Sequence, residues 1–215
     1  MLQKESLDKS VLDLILALQG KDYLKDFILV GGTGLALMLG HRKSDDIDLF
    51  TTEDFDAEHL LEKLESEFGF RMDSLGRNTI HGNVEGIKVD LLAHKYPVIG
   101  ATMKTENLRI ASMDDISAMK VNSVANDGTR LKDFIDLYFL LVEQNYNVEK
   151  LLANYKAKYS QRNAMHALKS LDYFEDVDLN DWPVLLRRKD ASWDEIRNIL
   201  GRACEEYIKK ITRHW

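Results

Sequence analysis

The 215 residues predict an α/β (α+β) fold: a small mixed β-sheet core with flanking helices, followed by a helical C-terminal part. Three observations carry this reading. A short apolar run, FILV at 27–30, leads into GGTGLALMLG, an Ala/Leu-rich stretch opened by glycines and closed by Gly40. Between Phe70 and Leu92 the apolar period drops towards two, in FRMDSL, NTIHGNV and GIKVDLLA, as half-buried strands require. Beyond Pro97 apolar residues return at helical spacing almost to the C-terminus. The shift near residue 100 places an α/β core over 1–100 and a helical part over 101–215, expected to pack together as one unit.

The elements follow in order. LDKSVLDLILALQG (6–19) spaces its apolar side chains as a helix, and FILV is a buried strand. The glycine-opened helix runs to Gly40, and HRKSDD is a polar loop before the next strand, IDLF at 47–50. AEHLLEKLESEF (57–68) is an amphipathic helix with an acidic face. The alternating runs make two or three antiparallel strands, turning at Glu85-Gly86. Helices are then expected over 113–126 and 129–144, joined through Gly128, and over 147–158, 161–172 and 193–212.

Composition bounds the function. A single cysteine, Cys204, excludes a disulfide scaffold and a cysteine-based zinc site. The start, MLQKESLDKS, has no apolar core of a signal peptide, and no run approaches 18 apolar residues. No membrane association and a cytoplasmic address are therefore expected. The net charge is −7, and the 6 basic and 13 acidic residues between Arg42 and Leu92 account for all of it. The acidic helix around Glu58 to Glu67 explains much of that excess; a carboxylate cluster prepared for cations would explain the rest. A generic polycation for nucleic acid is excluded.

Three features fall in a meaningful order. Gly31-Gly32-Thr33 sits between strand and helix, where glycine permits close backbone approach and helix N-terminal amides face an anion. A tight turn would need the same residues. Asp46-Ile47-Asp48 opens a strand, so alternation points both carboxylates one way and Ile47 into the core. Two carboxylates on one face repel unless a cation lies between them, and hard oxygen donors suit Mg²⁺. An ordinary solvent-facing edge is the competing reading. Asp90, in the apolar run Val89-Asp90-Leu91-Leu92, is costly to bury alone. A neighbouring antiparallel strand would set it beside Asp46 and Asp48, and three carboxylates can hold two metal ions for in-line phosphoryl transfer.

VGGTGLALMLGHRKSDDIDLF resembles the signature of the nucleotidyltransferase superfamily, and more closely that of AbiEii/AbiGii-type nucleotidyltransferase toxins. The resemblance runs from about Phe27 to Leu141. It includes Arg42 and Ser44, the DIDLF strand, Asp90 in KVDLL, and the helical MDDISAMKVNSVANDGTRLKDFIDLYFLL with Lys120, Lys132-Asp133 and Asp136. It implies a nucleotidyltransferase core that moves NMP from an NTP to an acceptor hydroxyl. Asp46, Asp48 and Asp90 would hold Mg²⁺ or Mn²⁺, and Asp90 would help activate the acceptor. Gly31, Gly32, Thr33, Arg42 and Ser44 would hold nucleotide phosphates. Lys120 would neutralise the leaving pyrophosphate, with Asp133 in or beside the active site and Asp136 structural. The resemblance further implies the toxin half of a toxin–antitoxin or phage-defence pair, with a cognate antitoxin and an RNA or tRNA acceptor as partners. A cleft between the two parts would hold the nucleotide.

Other residues carry less. The six histidines, His41, His59, His81, His94, His166 and His214, show no metal-ligand spacing, and only His81 falls near Asp90. Trp182, Trp193 and Trp215 are expected in the core. Arg187, Arg188, Lys189, Lys209, Lys210 and Arg213 form either an RNA patch or a solvated helix face. Two other functional classes stay open: a nucleotidyltransferase acting on a small molecule or a protein, and a non-catalytic nucleotide-binding module.

Overall fold

The computed structural model describes residues 2–105 and 107–213; the expectations for His214 and Trp215 lie outside the described residues. The chain forms two compact units, Met1–Ser112 and Met113–Trp215.

The first unit is built on one mixed sheet. Helix α1 (Lys9–Gln19) precedes strand β1 (Ile28–Leu29), which runs into helix α2 (Gly31–Leu39). Strand β2 (Ile47–Thr51) and helix α3 (Ala57–Phe68) follow, then β3 (Arg71–Gly76), β4 (Thr79–Val84) and β5 (Ile87–Ala93), and finally β6 (Met103–Thr105) and β7 (Leu108–Ile110). The seven strands lie in the order β3-β4-β5-β2-β1-β7-β6. The acidic helix starts where Asp56 accepts from the His59 amide at 3.0 Å, an N-cap. The β4–β5 hairpin turns at Glu85 and Gly86, with φ of 51° and 85°, the double positive φ of the tightest hairpins. Ile47, Leu49, Ile80, Val89 and Leu91 are fully buried, so the strands alternate as the sequence demands.

Two features differ from the sequence reading. The strand carrying Asp90, β5, pairs with β2 in parallel, not antiparallel. Parallel neighbours need a long crossover, and α3 with the β3–β4 hairpin supplies it. Residues 103–110, assigned above to the helical part, are strands of this sheet: β7 pairs in parallel with β1 through Leu29 and Ile110. Three-residue strands are too short to display a period of two, so only tertiary pairing reveals them.

Arg109, on β7, clamps this end of the sheet. Its guanidinium donates to the carbonyls of Gln19 (2.9 Å), Leu24 (3.1 Å) and Phe27 (3.2 Å). The Gln19 side chain returns two bonds to the Arg109 backbone, at 2.7 and 3.0 Å.

The second unit consists of α4 (Met113–Asn126), α5 (Leu131–Glu143), α6 (Val148–Lys158), α7 (Ala164–Leu171) and α8 (Trp193–Thr212). Asn147, Asn163 and Ser192 cap the last three helices through their side chains. Its core holds Ile116, Val121, Phe134, Leu137, Tyr138, Leu151 and Ile196. Trp193 packs edge-on against Phe134 and Phe174, whereas Trp182 is 39% exposed and no core residue. Among the described residues no helix is long and apolar enough to cross a membrane.

Removing the clamp should be costly, because three backbone carbonyls lose a charged donor at once. Arg109→Met is expected to destabilise the protein by about 2–4 kcal/mol. Chemical denaturation checks this, and a change within error would show that water replaces the guanidinium freely.

Candidate functional site

The parallel register of β2 and β5 sets Asp48 directly beside Asp90, just as Ile47 stands beside Val89. Neighbouring strands lie about 4.8 Å apart, and alternation puts Asp46, Asp48 and Asp90 on the face opposite the buried Ile47, Leu49, Val89 and Leu91. The row continues across the sheet, because Asp90 faces His81 on β4. Three of the residues read as metal ligands are thus collected on one face of one unit.

Strand β1 ends against the same place. The Val30 amide donates to the Asp48 carbonyl at 2.9 Å, and α2 begins at once with Gly31, whose φ is +67°. A Cβ on residue 31 would lie 3.0 Å from Asp48 Cγ and closer still to Oδ2. Only glycine combines this φ with this approach. The start of α2, where Gly31 and Gly32 are half-buried, therefore sits against the Asp48 carboxylate.

Thr33 and Ser44 are placed differently from a phosphate-binding reading. Thr33 is 1% exposed, and its hydroxyl is shared with Ser44 Oγ at 2.9 Å and donates to the Asp46 carbonyl. The two hydroxyls tie the loop before β2 to α2 and so present Asp46. Arg42 is 2% exposed, and its Nη1 donates to the Lys43 carbonyl at 3.0 Å.

Asp90 is the most buried of the three carboxylates, at 8% exposure. Lys88 Nζ lies 3.0 Å from its Oδ2, and His81 Nδ1 lies 2.8 Å from its Oδ1. The histidine contact is close but misaligned, leaving Oδ1 buried without a hydrogen-bond donor. Burial acts to lower the Lys88 pKa, but the Asp90 hydrogen bond and the negative fields of Asp90, Asp46 and Asp48 outweigh it and raise the value overall. His81 and Lys88 were not among the residues picked out as ligands; the alternation of Lys88 with Asp90 was the available signal.

The donor set suits a hard divalent cation: carboxylates on adjacent strands and a buried oxygen lacking a donor. Yet among the described residues no three His, Cys, Asp or Glu side chains already converge as a ligand cluster. Asp90 is instead engaged by Lys88 and His81. The other described histidines have different surroundings: His94 stacks between Phe50 and Tyr96, and His166 Nε2 meets the Ala125 carbonyl at 3.0 Å.

Lys120 and Asp133 belong to the second unit, where they form a buried triad with Asp136. Lys120 Nζ lies 2.6 Å from Asp133 and 2.7 Å from Asp136. The exposures are 6%, 1% and 0% in that order. Ser123 Oγ donates to the second Asp133 oxygen at 2.6 Å. A second buried pair, Lys158 with Asp115 at 2.8 Å, lies in the same unit; sequence reading passed over it. The basic residues near the C-terminus are largely matched by acids. Arg187 and Arg188 approach Glu143, Arg188 also approaches Glu195, Lys209 pairs with Glu205, and Lys210 with Glu149. Arg187 and Arg188 lie in the irregular segment before α8, and Lys209 and Lys210 on α8 itself, so these are ion-paired surface charges rather than a free cationic patch.

Residues 14–99 match the family described as "Nucleotidyl transferase AbiEii toxin, Type IV TA system". An uncharacterized protein of Aquifex aeolicus is 30% identical over 211 residues, 96% of each chain. Two crystal structures from Helicobacter pylori, one of them JHP933, share the fold at 20% identity. Their TM-scores are 0.57 and 0.56, over 97% of this chain and 99% and 96% of theirs. MenT4, a nucleotidyltransferase toxin of Mycobacterium tuberculosis, is 14% identical with a TM-score of 0.56, over 92% of this chain and 84% of its own.

Gly31→Ala should leave the helical unit intact and displace Asp48, because its new Cβ would occupy the space of that carboxylate. The expected outcome is a folded protein whose amide resonances shift around β1, β2 and the start of α2, read by a ¹H–¹⁵N spectrum; an unchanged spectrum would show that the carboxylate yields freely. Lys120→Met strands two buried carboxylates, which should cost about 3–5 kcal/mol. A melting temperature within a degree or two of the parent would show that the triad is hydrated and not structural.

Proposed function

Because the chain belongs to the AbiEii nucleotidyl transferase toxin family, we propose that it transfers an NMP from an NTP to an acceptor hydroxyl, using the face shared by β2 and β5. The observation that carries this reading is the direct register of Asp48 with Asp90 beside the glycine-opened start of α2. Asp46, Asp48 and Asp90 would hold Mg²⁺ or Mn²⁺, which when bound supplies Lewis-acid stabilisation of charge on the transferring phosphoryl group.

The chain's own residues do the rest. The backbone amides at Gly31 and Gly32, at the positive end of α2, bind and orient the triphosphate. Thr33 and Ser44 hold the loop that presents Asp46, and Arg42 braces it from inside. Asp90 helps to accept the proton of the attacking hydroxyl. The resemblance further gives Lys120 a charge-neutralising role and Asp133 its positioning; both lie in the helical unit, buried with Asp136. Such a site works by placement and fixed charge, with no covalent step on the protein.

The family's description supports a toxin role; we propose a cognate antitoxin as partner and RNA, such as tRNA, as acceptor. Two other outcomes are separable by experiment: a small-molecule or protein acceptor, and nucleotide binding without transfer.

The test is incorporation. Protein, Mg²⁺ or Mn²⁺ and each α-labelled NTP are incubated with total RNA, beside Asp46→Asn and Asp48→Asn. Label on RNA, reduced more than about 100-fold in both variants, is the expected result. Pyrophosphate released without labelled RNA points to another acceptor. Equal transfer by both variants and the parent would sink the mechanism.

A further inference from the structure

Lys88 has a specific place in the carboxylate face. It lies two residues before Asp90 on β5, so both side chains leave the strand on the same side. Val89, between them, pairs with Ile47, which lies between Asp46 and Asp48. The lysine is therefore level with the first aspartate, while Asp90 is level with the second. Its ammonium touches Asp90 Oδ2 at 3.0 Å and lies in the field of all three carboxylates.

The two partners differ in freedom. The Lys88 side chain is 56% exposed, that of Asp90 only 11%. Lysine can move its charge into water by rotating flexible torsions; Asp90 stays on the sheet, with His81 against its other oxygen. A divalent ion drawn to the same oxygens would meet the ammonium at close range, where like charges repel strongly in a half-buried setting.

We infer that Lys88 is a resident counter-cation of the Asp46–Asp48–Asp90 face, and that a divalent metal must displace its ammonium from Asp90 to bind. Lys88 thereby sets how tightly the site takes metal. This rests on the proposed role of the three aspartates as metal ligands. It departs from an ordinary surface ion pair, which would leave metal affinity untouched.

The test uses the full chain and Mn²⁺ alone, counting free ion by its electron paramagnetic resonance signal. Lys88→Gln should bind Mn²⁺ about tenfold tighter than the parent, and Lys88→Arg, which keeps the positive charge, within about threefold of it. In the unmutated protein, the Lys88 ammonium resonance in a ¹H–¹⁵N spectrum should move when Mg²⁺ saturates the site, so the inference does not depend on a variant folding. Equal or weaker Mn²⁺ binding by Lys88→Gln, or a Lys88 signal that Mg²⁺ leaves in place, would overturn it. Asp48→Asn separates the two readings. If it abolishes Mn²⁺ binding while Lys88→Gln changes nothing, this inference alone fails. If Mn²⁺ binding is indifferent to Asp48→Asn, the metal reading fails with it.

Discussion

The contact between Gly31 and Asp48 is the constraint on which the site depends. A carboxylate stands where any other residue at position 31 would carry its Cβ. Because glycine leaves that space to the carboxylate, β1 can turn into α2 directly over β2, and the Val30 amide can bond the Asp48 carbonyl. The helix start and the acidic strand end are thereby pressed together. Strand β5 joins from the other side, bringing Asp90 level with Asp48. The arrangement rests on backbone pairing rather than on long side chains in loops, so it is as rigid as the sheet itself.

Pressing like charges together has an electrostatic consequence, and the two units meet it differently. In the helical unit, Lys120 lies between Asp133 and Asp136 with all three almost dry. Removing any member leaves charge stranded in low dielectric, so that cluster is closed. In the sheet unit the cation, Lys88, is mostly wet, and one Asp90 oxygen has no hydrogen-bond donor. That cluster is open to exchange: its balancing charge can leave, and a stronger cation can replace it. The difference in solvent access separates a cluster whose charges are fixed on folding from one whose balancing cation can exchange.

Much of this was legible in the sequence because it is written in local periods. The helix at 57–68, the turn at Glu85-Gly86 and the glycine-opened helix before the acidic strand all have short-range causes. The parallel pairing of β2 with β5 was not legible, since it depends on how α3 and the β3–β4 hairpin carry the chain back. Nor were β6 and β7, which at three residues each have no period to show. Arg109 carried no signal of its role; its three carbonyl partners come from segments some 80 to 90 positions away. Within the proposed site, residue types pointed to the face that the β2–β5 register assembles, but hydroxyl directions did not follow from them.

Those directions bear on how the site is organised. Thr33 and Ser44 follow a glycine pair and precede an acidic strand, where a hydroxyl reads naturally as a phosphate ligand. Instead they bond each other, and Thr33 holds the Asp46 carbonyl. A hydroxyl can rotate away from a ligand; a backbone amide in a helix cannot. With the hydroxyls ordering the loop, the proposed anion binding falls to the amides of α2, whose orientation is already set. It also fixes the approach of Asp46, whose loop would otherwise be free to let the carboxylate swing from its neighbours. The conformational cost of assembling three negative charges is met during folding, by bonds within the protein. Reaction at such a site would then require little further ordering.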